Sequence, residues 1–111
     1  MKEGDVALVA MPQADRTEKN RPVIILREML PFQDMLVCGV STQIHQQIID
    51  FDEIISPADD DFAASGLIRN SLIRLGFLTV FPQSQIIGVI GSVSDTRHRR
   101  LLATLSDYLL G

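Results

Sequence analysis

The stretch GVSTQ, Gly39 to Gln43, sets two adjacent hydroxyls between a hydrophobic run and a polar segment. A hydroxyl donates one hydrogen bond and accepts others, so Ser41 or Thr42 could hold a phosphate oxygen, although alone it is a poor acid or base. A strand-end hydroxyl bonding into its own turn is an equally good reading of either residue taken singly. A second stretch, NRPVIIL, Asn20 to Leu26, puts Arg21 at the start of another apolar run. A guanidinium presents two parallel N–H donors to a phosphate and keeps its charge throughout the cellular pH range. The plainer alternative is an exposed ion pair at a strand start.

Other reactive residue types are scarce. His45 and His98 are the only histidines, too few and too far apart to suggest a metal site. His45, just past the hydroxyl pair, reads as a solvated loop residue that could also lie near a groove. The single cysteine, Cys38, rules out an internal disulfide and reads as a small apolar core residue in a reducing compartment, the cytoplasm. Neither a metal nor another cofactor is expected.

The elements that must position these residues follow from composition and pattern. At 111 residues, with 46% hydrophobic and 22% charged residues, the chain is expected to form one domain, residues 1 to 111, with one modest core. The net charge of -4 excludes bulk electrostatic gripping of polyphosphate. From Asp50 to Asp61 there are six acids and no base, leaving ten basic against eight acidic residues elsewhere and room for a local cationic face. That acidic run reads as a solvated loop. The N-terminus shows no secretory pattern. The uncharged stretch from Leu75 to Ser94 is long enough to span a bilayer, but PQSQ in its middle favours two strands around a turn, so no membrane partner is expected.

Val6 to Met11 reads as a first strand, closed by Pro12, and the charged residues that follow read as an exposed loop. Pro22 opens a second strand, Met35 to Val40 forms a third after the PFQD turn, and Gln47 to Phe51 could pair as a fourth. Ser71 to Val80 and Ile86 to Val93 supply two more, with Gly76, Gly88 and Gly91 as sites for bulges. From Ser94 the pattern changes. Leu101, Leu102, Leu105, Tyr108 and Leu109 share one helical face, with Ser94 as N-cap and Asp95 in the first turn. Arg97, Arg99 and Arg100 gather where the helix dipole disfavours cations; they read as a solvated face, with contact to the acidic run as one alternative. The architecture expected is mainly β: a small, strongly bent sheet with a C-terminal amphipathic α-helix packed on it.

In order and spacing, GDVALV, a polar loop, NRPVIIL, MLVCGVSTQ, GLIRNSLIRL, IGVIGSVSD and the final helix resemble the PemK/MazF/Kid group of toxin endoribonucleases over nearly the whole chain. The resemblance implies an SH3-like β-barrel, a homodimer, a cognate antitoxin that occludes the groove, and metal-independent cleavage of single-stranded RNA through a 2′,3′-cyclic phosphate. It places Arg21 as the arginine that stabilises charge on the phosphorane and Ser41 where relatives carry threonine, with Thr42 and Gln43 following. Arg74 matches the arginine of an R-x-D pattern and is expected to bind RNA together with Gln43, Arg16 and Lys19. Two departures stand out. The first loop lacks the histidine that some relatives have, leaving Asp15 or Glu18 as substitute proton acceptors, and Gly76 stands where the R-x-D acid would be. A non-catalytic module of the related CcdB group, which poisons DNA gyrase, is the alternative; the chain end lacks the tryptophan expected there. A relative that binds RNA or antitoxin without cutting is the other.

Overall fold

The computed structural model describes residues 1–12 and 16–111, with only the backbone of Pro12. Six strands form one antiparallel sheet: β1 (Asp5–Pro12), β2 (Glu18–Met29), β3 (Asp34–Ser41), β4 (Glu53–Ile55), β5 (Ser71–Phe81) and β6 (Ile86–Ser92). Their spatial order is β4-β5-β3-β2-β1-β6. A single helical turn, α1 (Phe62–Ser65), follows β4, and the helix α2 (Asp95–Leu110) ends the fold. The mainly β architecture with a terminal helix is as expected from sequence. The Leu75–Ser94 stretch does fold back as two strands around a short 3-10 turn, Gln83–Gln85, and among the described residues no helix is long and apolar enough to cross a membrane.

Two boundaries differ from the sequence reading. The fourth strand is Glu53–Ile55, not Gln47 to Phe51. Ile48 to Asp52 instead makes a turn: the amides of Phe51 and Asp52 donate to Ile48 O, Asp50 has a φ of 63°, and the Asp52 carboxylate accepts from the Ile48 amide at 3.0 Å. A carboxylate two to four residues along that can satisfy the turn's amide competes directly with ladder bonding. Strand β2 also begins earlier than Pro22. Its ladder with β1 runs out to Pro12 paired with Glu18, so Glu18 to Arg21 belong to a hairpin rather than a loop.

The sheet has two buried faces because its strands alternate. Val6, Ile24, Leu26, Cys38, Val40, Ile73 and Leu75 pack beneath Leu101 and Leu105 of α2. Ala7, Val9, Val23, Ile25, Met35 and Val37 form a second cluster on the opposite face. The single core expected from chain length is thus divided by the sheet. Burial pushes the Cys38 thiol up to about 12, as an inert core residue requires.

Curvature comes from register shifts. On β6 the partners of β1 skip Ile90 and Ile87, beside Gly91 and Gly88. On β2 the shift at Leu26 frees a carbonyl that His98 Nε2 of α2 meets at 2.8 Å, pinning helix to sheet. The sheet is not closed by hydrogen bonds between its edges β4 and β6. The gap is spanned by α1, which lies on β6. A Cβ on Gly91 would sit 2.2 Å from Ala64 O, and one on Gly66 (φ 76°) 2.2 Å from Ile90 O, so this seam requires two glycines.

Of the N-terminal arginines of α2, Arg99 and Arg100 are exposed as expected, but Arg97 is not part of a solvated face. Arg97 is 5% exposed. Its Nε and Nη2 grip Asp61 at 2.8 and 3.2 Å, Nη1 donates to Glu53 at 2.8 Å, and Asp59 lies 3.5 Å away. Arg100 holds Glu53 with two bonds of 2.8 Å. Within the acidic run, read as a solvated loop, Glu53, Asp59 and Asp61 therefore act as counter-charges to these arginines, while Asp50 and Asp60 are exposed. Asp61 also accepts from the Ser94 amide at 3.0 Å, next to the N-cap in which Ser94 Oγ accepts from the Arg97 amide. Burial pushes the Asp61 carboxyl upward, but the Arg97 guanidinium and the Ser94 amide outweigh it and hold the group below its ordinary range.

Candidate functional site

Cross-strand register decides which side chains share a face. Gly39 of β3 pairs with Val23 of β2 on one side and with Arg74 of β5 on the other. Partners in register point the same way, and so do residues two apart on a strand. Arg21 thus shares the face of Val23, Ser41 that of Gly39, and Arg74 joins them across the β3–β5 ladder. Extending the β2–β3 register by two residues sets Arg21 opposite Ser41. This face is the continuation of the second apolar cluster, where buried Val23 and Val37 give way to polar residues.

The result is one open cleft of about 310 Å³, lined by residues that include Arg21, Ser41, Thr42, Gln43, Arg74 and Phe77. Arg21, Ser41 and Arg74 are half-buried; Thr42 and Gln43 are exposed at the rim. Ser41 answers both readings of its hydroxyl. Its Oγ accepts from the Gln43 amide at 3.0 Å, a turn bond, which orients the oxygen while its O–H can still rotate to donate. Lys19 and Arg16 are exposed and are not among the lining residues; Lys19 pairs with Met11 one hairpin step further out. His45 sits in an exposed 3-10 turn beyond the rim. Asp15 lies outside the described residues, and Glu18 is exposed where β2 begins.

A lining residue that sequence reasoning missed is Phe77. Cys38 pairs with Leu78 whereas Gly39 pairs with Arg74, so Leu75, Gly76 and Phe77 form a bulge of three residues on β5. The Leu75 amide, turned out of the ladder, donates to Asp52 Oδ1 at 3.1 Å. The bulge drops the Phe77 ring onto Gly39, where a Cβ would lie 2.9 Å from Phe77 Cδ1. The sequence signal was Gly76, a residue suited to a bulge crest, although nothing local said that the bulge would bring an aromatic ring into a cleft that two arginines also line.

Chemically, two guanidiniums and an oriented hydroxyl around one small open space suit a phosphodiester, whose oxygens take charge-assisted hydrogen bonds. Residues 2–109 match the family of PemK-like, MazF-like toxins of type II toxin-antitoxin systems. Among solved structures, the chain is similar to the Mycobacterium tuberculosis toxin MazF-mt6, with a TM-score of 0.66 and 18% identity over 95% of each chain. It is also similar to an endoribonuclease in complex with its cognate antitoxin from a mycobacterial species, with a TM-score of 0.68 and 12% identity, covering 98% of this chain and 94% of that one. Comparison with curated proteins returns no match.

Proposed function

This chain belongs to the PemK-like, MazF-like toxins of type II toxin-antitoxin systems, and from that premise we propose that it is a metal-independent endoribonuclease that cuts single-stranded RNA. The observation that carries the reading is the meeting of Arg21, Arg74 and the Ser41 hydroxyl in one cleft. In the reaction the ribose O2′ attacks the adjacent phosphorus, the bond to O5′ breaks, and the products end in a 2′,3′-cyclic phosphate and a free 5′-hydroxyl. The extra negative charge of the pentavalent state falls on the non-bridging oxygens, where a guanidinium's paired donors are most effective. Arg21 and Arg74 supply that charge, Ser41 donates to one oxygen, and Thr42 and Gln43 hold the strand at the rim. Because the described lining carries no carboxylate or imidazole, solvent water takes the proton lost from O2′ and supplies the one that O5′ gains as it leaves.

The test is incubation of purified protein with unstructured RNA in chelator. Discrete cuts with cyclic phosphate ends are expected, and Arg21→Ala should slow them by about a hundredfold or more. RNA left whole, or cuts indifferent to Arg21→Ala, would overturn the nuclease reading. One observation favours a second reading, a relative that binds RNA without cutting: among the described residues the lining holds no carboxylate or imidazole. Binding that depends on Arg21 without product formation would select it.

The proposed unit is a cytoplasmic homodimer spanning residues 1 to 111, held inactive by a cognate antitoxin. The edge strand β6 supports pairing, since Ile87, Val89 and Ile90 are exposed on it without a charge or proline to protect the edge. The antitoxin is supported by family membership and by the neighbour solved with its own antitoxin.

A further inference from the structure

Among the residues lining the cleft is an aromatic ring, a group that phosphate chemistry does not use. Phe77 is 40% exposed although apolar clusters lie close by on both faces of the sheet, and its ring lies on Gly39 between the strands that carry Arg21 and Arg74. Three independent features hold it there. Gly39 removes the side chain that would lift the ring, the three-residue bulge shortens the reach from β5, and the Asp52 carboxylate satisfies the amide that the bulge exposes. An aromatic face left open to a cleft beside two guanidiniums matches the combination that single-stranded nucleic acids select, in which cations follow the backbone and rings take the bases.

We propose that Phe77 is the stacking platform for an unpaired nucleobase next to the phosphate held by Arg21 and Arg74. The proposal rests on the nuclease reading and names the part of the substrate that reading leaves without a partner. Stacking accepts any base with a π face, so Phe77 contributes affinity and alignment, and a purine, with more ring area, is held more tightly than a pyrimidine.

The experiment uses an RNA that the protein cuts, with the O2′ at the cut site removed so that it binds without reacting. 2-Aminopurine is placed in turn at each nucleotide flanking the cut, and an abasic nucleotide at the same places in a second series. With the wild-type protein, one position is expected to show quenched fluorescence on binding, and the abasic nucleotide there to weaken binding by about ten- to a hundredfold. Phe77→Leu should lose the quenching and the same affinity, with no further loss on the abasic RNA, whereas Phe77→Trp should keep both. No abasic penalty at any flanking position in the wild type overturns the proposal without recourse to a variant, as does an equal penalty in wild type and Phe77→Leu. Failure of the wild type to bind or cut any RNA overturns the nuclease reading and this inference together; normal cutting by Phe77→Leu with unchanged affinity overturns this inference alone.

Discussion

At the scale of single residues, the cleft separates groups by the kind of work each can do. Arg74→Ala should slow RNA cleavage by about a hundredfold, and Arg74→Lys should recover only part of it, because an ammonium cannot present two parallel donors. Ser41 has a double role, so its variants separate. Ser41→Ala loses the bond to the Gln43 amide, costing about 1 kcal/mol in a denaturant titration, and lowers cleavage as well. Ser41→Thr retains the hydroxyl and should leave both measurements close to wild type. Gly39→Ala offers a further check, since the added methyl must displace the Phe77 ring. Arg21 and Ser41 could be singled out in the sequence because each sits at the start or end of an apolar run and matches a position of the family it resembles. Phe77 was not, because its direction depends on a register shift against a strand some forty residues away.

At the scale of elements, the Ser94 cap, the helix that follows and the β5–β6 turn could be read directly, since each depends on neighbours within a few residues. The fate of Arg97 could not. Its partners Asp61 and Glu53 lie 36 and 44 residues earlier, and a periodicity that places Arg97 on the helix cannot say what β4 and α1 bring to it. Removing the guanidinium leaves buried carboxylates uncompensated, so Arg97→Met should destabilise the fold by about 3–5 kcal/mol, measured by urea titration. The pH dependence has a definite sign. The folded Asp61 carboxyl is held below its ordinary value, so its contribution is present above about pH 4, where the unfolded carboxyl is already ionised, and is lost as pH falls through the folded value. Melting curves taken toward lower pH should fall more steeply for the wild type than for Asp61→Asn. At the seam between α1 and β6, Gly91→Ala places a methyl against Ala64 O with no flexible side chain to yield, and a melting temperature equal to wild type would contradict the close approach.

At the scale of the whole molecule, charge is partitioned by the fold. The acidic run holds six of the fourteen acids and draws in Arg97 and Arg100, so the remainder has eight basic and eight acidic residues rather than an excess of positive charge. On the proposed function, RNA affinity then arises locally at the cleft. With two or three phosphates neutralised, the logarithm of the binding constant should fall with the logarithm of salt at a slope of about −1.4 to −2, far shallower than for a basic RNA-binding domain. Overall charge could be counted from the sequence, but which arginines are taken up internally depends on tertiary packing.

Asp52 links these scales. One oxygen of its carboxylate holds the Ile48 turn and the other holds the Leu75 amide in the bulge of β5, so one side chain ties the two segments together. That turn also walls an open apolar groove formed with Tyr108 and Leu109 on the helix side of the sheet. Replacing that one carboxylate would therefore release a wall of the groove and the bulge that carries Phe77 at the same stroke.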